Sequence, residues 1–281
     1  MAQPIARIRN KTSGFTLEPG RTRAFAQSLV AFEDPTFISA AKLKRVYALL
    51  LCGRLHLNIH ENGSVRRVTV HLALGIDCNG AKDIVGIGLI PAFISTLRDR
   101  GVEHIFVSVS ETDDAAIYVR ANFPGGSAQV SIAHLVRHSL SVVPKKDRAA
   151  VSIAMRSLYR APDLESGNTA LKVFTDGRWG QRYPSITANW RKAWQRLDGF
   201  FDLPVALRRF LETADAAGSF QEKLQRRALY IPGHFASEEA ALAQLADLAR
   251  KCTGEWKVAP RNWQPAKTHF HALCARSGLS A

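Results

Sequence analysis

The segment of residues 46–59 begins as an apolar run and then alternates between apolar and polar positions. The alternation sets Leu55, Leu57 and Ile59 against His56, Asn58 and His60. A period of two residues is typical of a half-exposed β-strand, because successive side chains point to opposite faces of the sheet. Gly63 follows, where a positive φ costs a glycine little, so we predict a hairpin turn there.

Similar patterns downstream predict the rest of a small sheet. Residues 68–76 have the pattern of a returning strand and residues 84–90 that of a third strand. Helical spacing over residues 91–100 ends at Gly101, a residue type that commonly follows a helix C-terminus. Residues 105–109 predict a short buried strand. Three strands, a helix and a fourth strand predict the opening of a ribonuclease H-like α/β fold, a topology that many functions share.

After residue 112 the spacing becomes mainly helical. The predicted helices are residues 113–122, 132–142, 145–160, 187–198, 204–226 and 236–252. We therefore predict a mixed sheet flanked by helices over residues 45–275, with an all-α insertion at about 160–210 and C-terminal helices. Residues 1–44 mix basic side chains with Gly, Pro, Ser and Thr, which predicts a basic, partly irregular lead-in.

Charge adds a preference for anionic partners. The chain has 38 Lys and Arg against 24 Asp and Glu, a net charge of +14 and a pI near 10.1. Such an excess favours polyanions, above all nucleic acid, because each neutralised phosphate releases counterions. Acidic lipids and acidic proteins are the other partners that this charge allows.

The first residues lack the apolar stretch of a secretory signal, and the apolar run 46–52 is too short to cross a bilayer. The four cysteines stand far apart without a Cys-x-x-Cys pair, which predicts buried free thiols. We therefore expect a cytoplasmic protein without a membrane partner, associated with the nucleoid if it binds DNA.

A series of ordered landmarks runs through the chain from residue 97. They are LRDRGVEHIF at 97–106, Phe123-Pro124, HLVRHSL at 134–140, Lys146-Asp147-Arg148, Tyr159-Arg160-Ala161-Pro162, Tyr183-Pro184, Trp190, Trp194, Phe200-Phe201, Pro204, EEAAL at 238–242, Trp256 and Arg261-Asn262-Trp263. The order of these landmarks resembles that in the catalytic half of Mutator-type bacterial insertion-sequence transposases. The resemblance covers about residues 46–275. Relative to that family it has a short N-terminal region without a helix-turn-helix, so we do not expect sequence-specific recognition of element ends.

The resemblance implies a DDE transposase, in which two Asp and one Glu hold two divalent metal ions for strand transfer. Mg²⁺ would be expected in an active member, because hard cations prefer carboxylate oxygens. The first Asp lies ten residues before the turn glycine Gly63, which here is Gly53. The second lies thirteen residues before Phe123, which here is Ser110, and the Glu position is occupied by Gly218. The acidic triad is therefore missing, and we predict no metal cofactor.

Nearby carboxylates are candidate substitutes for the missing ligands. No Asp or Glu occurs between Asp34 and Glu61, so the opening strand offers none in any register. The acidic residues after the second position are Glu111, Asp113 and Asp114, which we interpret as solvated charges at the start of a helix. Glu222 lies one helical turn after Gly218, too far to replace the missing ligand.

Two histidines of the HLVRHSL landmark, His134 and His138, have the i, i+4 spacing of some zinc-binding helices. Family members tend to have Cys at the position of Ser131, and no third ligand accompanies the pair, so we interpret both histidines as packed or hydrogen-bonded.

The basic residues that we expect to contact a DNA backbone fall into two clusters. They are Arg191, Lys192 and Arg196 among aromatic landmarks, and Lys223, Arg226 and Arg227 after the position of the lost Glu. Both clusters could equally be ordinary solvated helix faces.

Three hypotheses follow. The first is a transposase-derived protein that is catalytically impaired, a pseudoenzyme that retains backbone binding to DNA. The second is an active metal-dependent transposase with relocated carboxylates. The third is a protein-interaction module that uses its basic surface. The sequence leaves the oligomeric state open, including a homo-oligomer.

Overall fold

The computed structural model describes residues 37–38, 43–61, 63–89, 91–111, 113–213, 220, 223–224, 226–227, 235–253 and 263–279. Its sheet has the strands β1 (Phe37–Ile38), β2 (Val46–Glu61), β3 (Ser64–Ile76), β4 (Lys82–Gly88), β5 (His104–Ser110) and β6 (Ser127–Val130). They lie in the order β1-β4-β3-β2-β5-β6. Strands β2, β3 and β4 are antiparallel neighbours, whereas β5 and β6 join β2 in parallel. This mixed sheet confirms the predicted ribonuclease H-like α/β fold.

The hairpin of β2 and β3 extends well beyond the other strands. Its register runs from Leu49 opposite Ile76 to Glu61 opposite Ser64, and Gly63 has the predicted positive φ of 78° in the turn. Pairing between β2 and β5 covers only residues 46–52 of β2. Further along, the chain near Phe235 bridges to Ile59. The amide of His60 donates to the Phe235 carbonyl at 2.8 Å, and the Phe235 amide donates to the Asn58 carbonyl at 3.2 Å.

One face of the sheet is covered by the 3-10 helix Pro91–Leu97 and the helix α1 (Asp113–Asn122). Two glycines allow this close approach. A Cβ built on Gly75 would lie 2.3 Å from the Tyr47 ring, and one on Gly86 would lie 2.6 Å from Phe93. Tyr47 and Phe93 are themselves fully buried, so neither ring has room to move aside.

The other helices are α2 (Ile132–Ser141), α3 (Lys145–Tyr159), α4 (Leu164–Asp176), α5 (Arg178–Arg182), α6 (Pro184–Trp194), α7 (Asp198–Phe201), α8 (Val205–Thr213), α9 (Glu238–Thr253) and α10 (Trp263–Arg276). Their apolar side chains share one continuous core with the opposite face of the sheet. Trp190 is fully buried at its centre, and its indole donates to the Ser139 hydroxyl at 3.0 Å. Trp194 donates to Asn168 at 2.6 Å, so the two tryptophans join α6 to α2 and α4.

The structure corrects several predicted boundaries. Helical spacing over 91–100 produces a 3-10 helix that ends at Leu97, and the predicted helix 187–198 begins earlier, because Pro184 fits the first turn of α6. The predicted elements do not include the helices α4, α5, α7 and α10 or the strands β1 and β6. Most of the predicted helix 204–226 beyond Thr213 lies outside the described residues.

Cys52, Cys78 and Cys274 are buried free thiols, as predicted. The sulfurs of Cys78 and Cys274 lie 2.9 Å apart and tie α10 to the turn between β3 and β4. Burial raises the pKa of the Cys78 thiol to about 12, so this thiol is held in its neutral form. Within the described part of the chain, the helices are too short or too polar to span a bilayer.

Candidate active-site cleft and nucleic-acid interface

Two of the three positions where the family resemblance implies an acidic residue lie on neighbouring strands, one residue apart in register. Cys52 on β2 is level with Ser110 at the end of β5, and Gly53 is the next residue of β2. Gly53 is buried, and Ser110 is 6% exposed. We call the region at these strand ends, with the neighbouring polar side chains, the cleft. Gly218, the third position, lies outside the described residues.

Glu111 follows Ser110 directly, but its carboxylate already contacts an imidazole and a guanidinium group. Its side chain is 8% exposed, and its carboxylate lies 3.2 Å from His134 Nδ1 and 3.7 Å from the Arg137 guanidinium. The interpretation of Glu111 as a solvated charge was therefore wrong, because its side chain is buried against side chains of α2. A buried carboxylate in such contacts is poorly placed to ligate a metal ion at Ser110.

The next two carboxylates open α1, where they complement the positive end of the helix as predicted. Asp113 forms an ion pair with Arg196, and this contact joins α1 to the segment that follows α6. Asp114 lies 4.0 Å from His71 Nε2. Each acidic side chain near Ser110 thus faces a cationic or imidazole group.

The side chains of the cleft do not fit a two-metal centre. Gly53 contributes a hydrogen atom and Ser110 a neutral hydroxyl where a divalent cation needs negatively charged oxygens. Across the ranges that the structure describes, no three His, Cys, Asp or Glu side chains converge as a metal site would require.

The histidine pair of α2 is held by local contacts. Ser131, at the position where the family tends to have Cys, caps α2 by accepting the His134 amide at 3.1 Å. The rings of His134 and His138 stack with centroids 6.0 Å apart, and His134 also contacts Glu111. These contacts are those of packed and hydrogen-bonded side chains, as the sequence analysis expected.

Sequence reasoning missed a row of basic and imidazole side chains on the hairpin. Arg54 and His71 are cross-strand partners and so share a face, and His56 follows two residues after Arg54. Burial lowers the pKa of His71 and of His56, in each case against the opposing influence of a carboxylate. The register counted outward from the Gly63 turn could have revealed the pairing.

The predicted DNA contacts lie in different settings. Arg191 and Lys192 are exposed in the last turn of α6, whereas Arg196 is partly buried against Asp113. Lys223 and Arg227 are partly buried and Arg226 is exposed, each as a helical residue of a segment described only in part. Arg191, Lys192 and Arg226 are therefore the exposed members of the six.

The fold and the cleft together define the class of protein. It is ribonuclease H-like, and the carboxylates that the structure describes do not form a site for a metal cation. Residues 36–259 match the family model "Transposase, Mutator family", and the chain belongs to that family. It is 36% identical over 240 residues to a transposase for insertion sequence element ISRM3 of Rhizobium meliloti (strain 1021), an alignment covering 82% of this chain and 60% of the relative.

Two further relatives give a similar picture. A probable transposase for an ISRM3-like element of Sinorhizobium fredii (strain NBRC 101917 / NGR234) is 36% identical over 243 residues, covering 82% of this chain and 60% of the relative. A probable insertion-sequence transposase of Corynebacterium diphtheriae is 30% identical over 213 residues, covering 73% and 62% respectively. The chain thus spans about three-fifths of the length of the relatives it matches.

Proposed function

We propose that the protein is a transposase-family DNA-binding protein that contacts the DNA backbone and is impaired in strand transfer. Family membership and the net charge of +14 support DNA as the partner. The loss of catalysis is supported by Gly53 and Ser110, which lie on neighbouring strands, one residue apart in register, and carry no carboxylate. That placement carries the proposal, because two-metal chemistry needs carboxylates where these strands meet.

The nearby contacts support the same conclusion. A relocated ligand set would have to draw on Glu111, Asp113 and Asp114, and each already has a histidine or arginine partner. Releasing Glu111 would leave His134 and Arg137 without that carboxylate in a largely desolvated setting, at a cost of about 1–3 kcal/mol.

Catalysis is tested by incubating the purified protein with supercoiled and linear duplex DNA in Mg²⁺ or Mn²⁺, with the Rhizobium meliloti relative assayed in parallel. We expect no divalent-dependent nicking or joining by this chain. Such products would refute the proposal if they vanished in Glu111→Gln, and would then favour the hypothesis of relocated carboxylates.

DNA binding is tested by fluorescence anisotropy with a labelled duplex between 50 and 300 mM salt, a range over which a protein with 6–10 phosphate contacts loses about a thousandfold or more in affinity. We expect affinity to fall steeply with salt and to be similar for unrelated sequences, because phosphate contacts carry no sequence information. Affinity that does not change with salt would contradict the proposal and favour an interaction module. We also expect a DNA-binding chain to co-sediment with the nucleoid.

A further inference from the structure

The hairpin of β2 and β3 has two unlike faces where it extends past β5. On one face the side chains of Leu55, Leu57 and Ile59 are buried in the main core. The opposite face has the alternate residues of each strand, which are mainly polar, and the register places Asn58 opposite Arg67 there. We call these polar side chains the hairpin face: Arg54, His56, Asn58 and His60 of β2, with Arg67 and Thr69 of β3.

The composition of the hairpin face favours an anionic partner. Neither residues 54–60 nor residues 65–71 include an Asp or a Glu, whereas both segments include arginine and histidine. Two carboxylates lie at its base, where Glu111 contacts side chains of α2 and Asp114 lies 4.0 Å from His71 Nε2. A surface of this kind attracts polyanions, because each phosphate that it neutralises releases counterions.

The cationic groups of the hairpin face lie close enough to act on one another. Burial lowers the pKa of His56, and the charges of Arg67 and Arg54 lower it further. The carboxylate of Glu111 has the opposite influence on His56. The two guanidiniums thus make a positive charge on the imidazole less favourable, and a phosphate in contact with this surface would stabilise the cationic form of each group.

The outer half of the hairpin face is open to solvent. Asn58, His60 and Arg67 are exposed, whereas Arg54 and His56 are partly buried. From Arg54 to His60 a strand extends about 20 Å, which is the length of about six base-pair steps of a duplex. Because the opposite face of the hairpin is packed in the core, a DNA groove cannot enclose the hairpin, and we expect its contacts to fall on phosphates.

The hairpin face also leads towards the basic side chains of α6. At its base His71 faces Asp114, and in the same turn of α1 Asp113 forms an ion pair with Arg196, which follows α6. The first turn of α1 therefore lies between the hairpin face and a side chain already predicted to contact DNA. We propose that the hairpin face binds the phosphate backbone of duplex DNA. The proposal rests on the proposed function, which makes DNA the partner.

The first experiment compares two neighbouring arginines of β3. Arg67→Gln removes an exposed charge from the hairpin face, and we expect it to weaken duplex binding by roughly threefold to tenfold and to reduce the log–log salt slope by about one unit. Arg66→Gln is the matched control, because Arg66 alternates to the other face and forms an ion pair with Glu238 at 2.6 Å. It removes the same charge and should leave the slope unchanged.

The same titrations separate the new proposal from the proposed function. If the unmodified chain binds duplex with a steep salt dependence but the two variants behave alike, the hairpin face is not a contact surface, and DNA binding stands without it. If the unmodified chain does not bind duplex, the proposed function and the hairpin face are both refuted.

The second experiment observes the hairpin face directly in the unmodified protein. The ring signals of His60 are identified by their loss in His60→Asn, or by through-bond experiments if that variant does not fold. We expect them to shift saturably as a duplex of arbitrary sequence is added, while those of His269 on α10 stay in place. A His60 signal that does not move at saturating duplex would overturn the proposal. Movement with poly-glutamate but not with duplex would also overturn it, in favour of an acidic protein partner.

Discussion

The cleft and the junction of α3 with α8 each contain a nearly buried glutamate side chain, but they hold it differently. In the cleft, Glu111 contacts two side chains of one helix, His134 and Arg137 of α2. At the junction, Glu212 of α8 accepts a hydrogen bond of 2.8 Å from Arg160, the residue that follows α3. The comparison teaches that each of these two carboxylates is held by cationic or imidazole side chains, an arrangement that leaves it poorly placed to ligate a divalent cation.

The largest effect should come from Arg208, the buried arginine of α8. Arg208→Met leaves the carbonyls of Ala161 and Pro162 without their donor, and we expect a loss of about 3 kcal/mol in the free energy of unfolding by urea denaturation. Arg209→Met, an exposed neighbour on the same helix, is the control and should cost less than about 0.5 kcal/mol. Equal losses for the two variants would contradict the structural distinction between them.

In the cleft, Glu111→Gln should destabilise by about 1–2 kcal/mol, because it removes the charge that His134 and Arg137 enclose. The same measurement on Glu165→Gln, an exposed glutamate on α4, should give a change within about 0.5 kcal/mol. If Glu111→Gln left the free energy of unfolding unchanged, the carboxylate would be available for another role. The question of a metal ligand would then be open again.

The imidazoles of the cleft should make stability depend on pH. Burial holds the pKa of His71 below its ordinary value of about 6.5, so the unfolded chain takes up a proton that the folded chain refuses as the pH falls through that value. We expect the free energy of unfolding to decrease between pH 7 and pH 5, and to decrease less in His71→Asn. His269→Asn, on α10, offers a comparison outside the cleft, because burial also lowers the pKa of His269. Identical slopes in wild type and His71→Asn would refute the role assigned to His71.

The smallest effect concerns the accessible pair on α6. Neutralising Arg191 and Lys192 together with glutamine should reduce the salt dependence of duplex binding by about two units in the log–log slope, without altering stability. Arg276→Gln, in the last turn of α10, controls for net charge alone. If the double variant and the control behaved alike, binding would follow overall charge and these two side chains would lose their assignment.

The sheet could be predicted well from the sequence because two of its signals are local. Alternation of Leu55, Leu57 and Ile59 with polar residues, and the glycine at position 63, specify a strand and its turn without reference to the rest of the chain. The helix α4 was missed because Gly167 and Asn168 interrupt its helical pattern. Both are explained by tertiary packing: a Cβ on Gly167 would lie 2.9 Å from Phe201, and Asn168 accepts from Trp194.

The positions of the candidate site residues could be predicted from the sequence, but the contacts of their side chains could not. Counting from Gly63 and Phe123 placed Gly53 and Ser110 on strands that do lie beside each other. The partners of Glu111 come from α2, and the ion pair of Arg160 with Glu212 joins residues 52 positions apart, so neither contact is indicated by a local pattern in the sequence.

The contact between Phe235 and β2 has a consequence for how the molecule behaves in a crowded solution. Beyond Cys52 the backbone of β2 has no further register with β5, and a strand with unsatisfied amides and carbonyls is a template for pairing with another chain. The two hydrogen bonds at Phe235 occupy groups of Asn58 and His60 that would otherwise offer such a template. In the part of the chain that the structure describes, Phe235 thereby covers backbone groups that could otherwise pair with a strand of another chain.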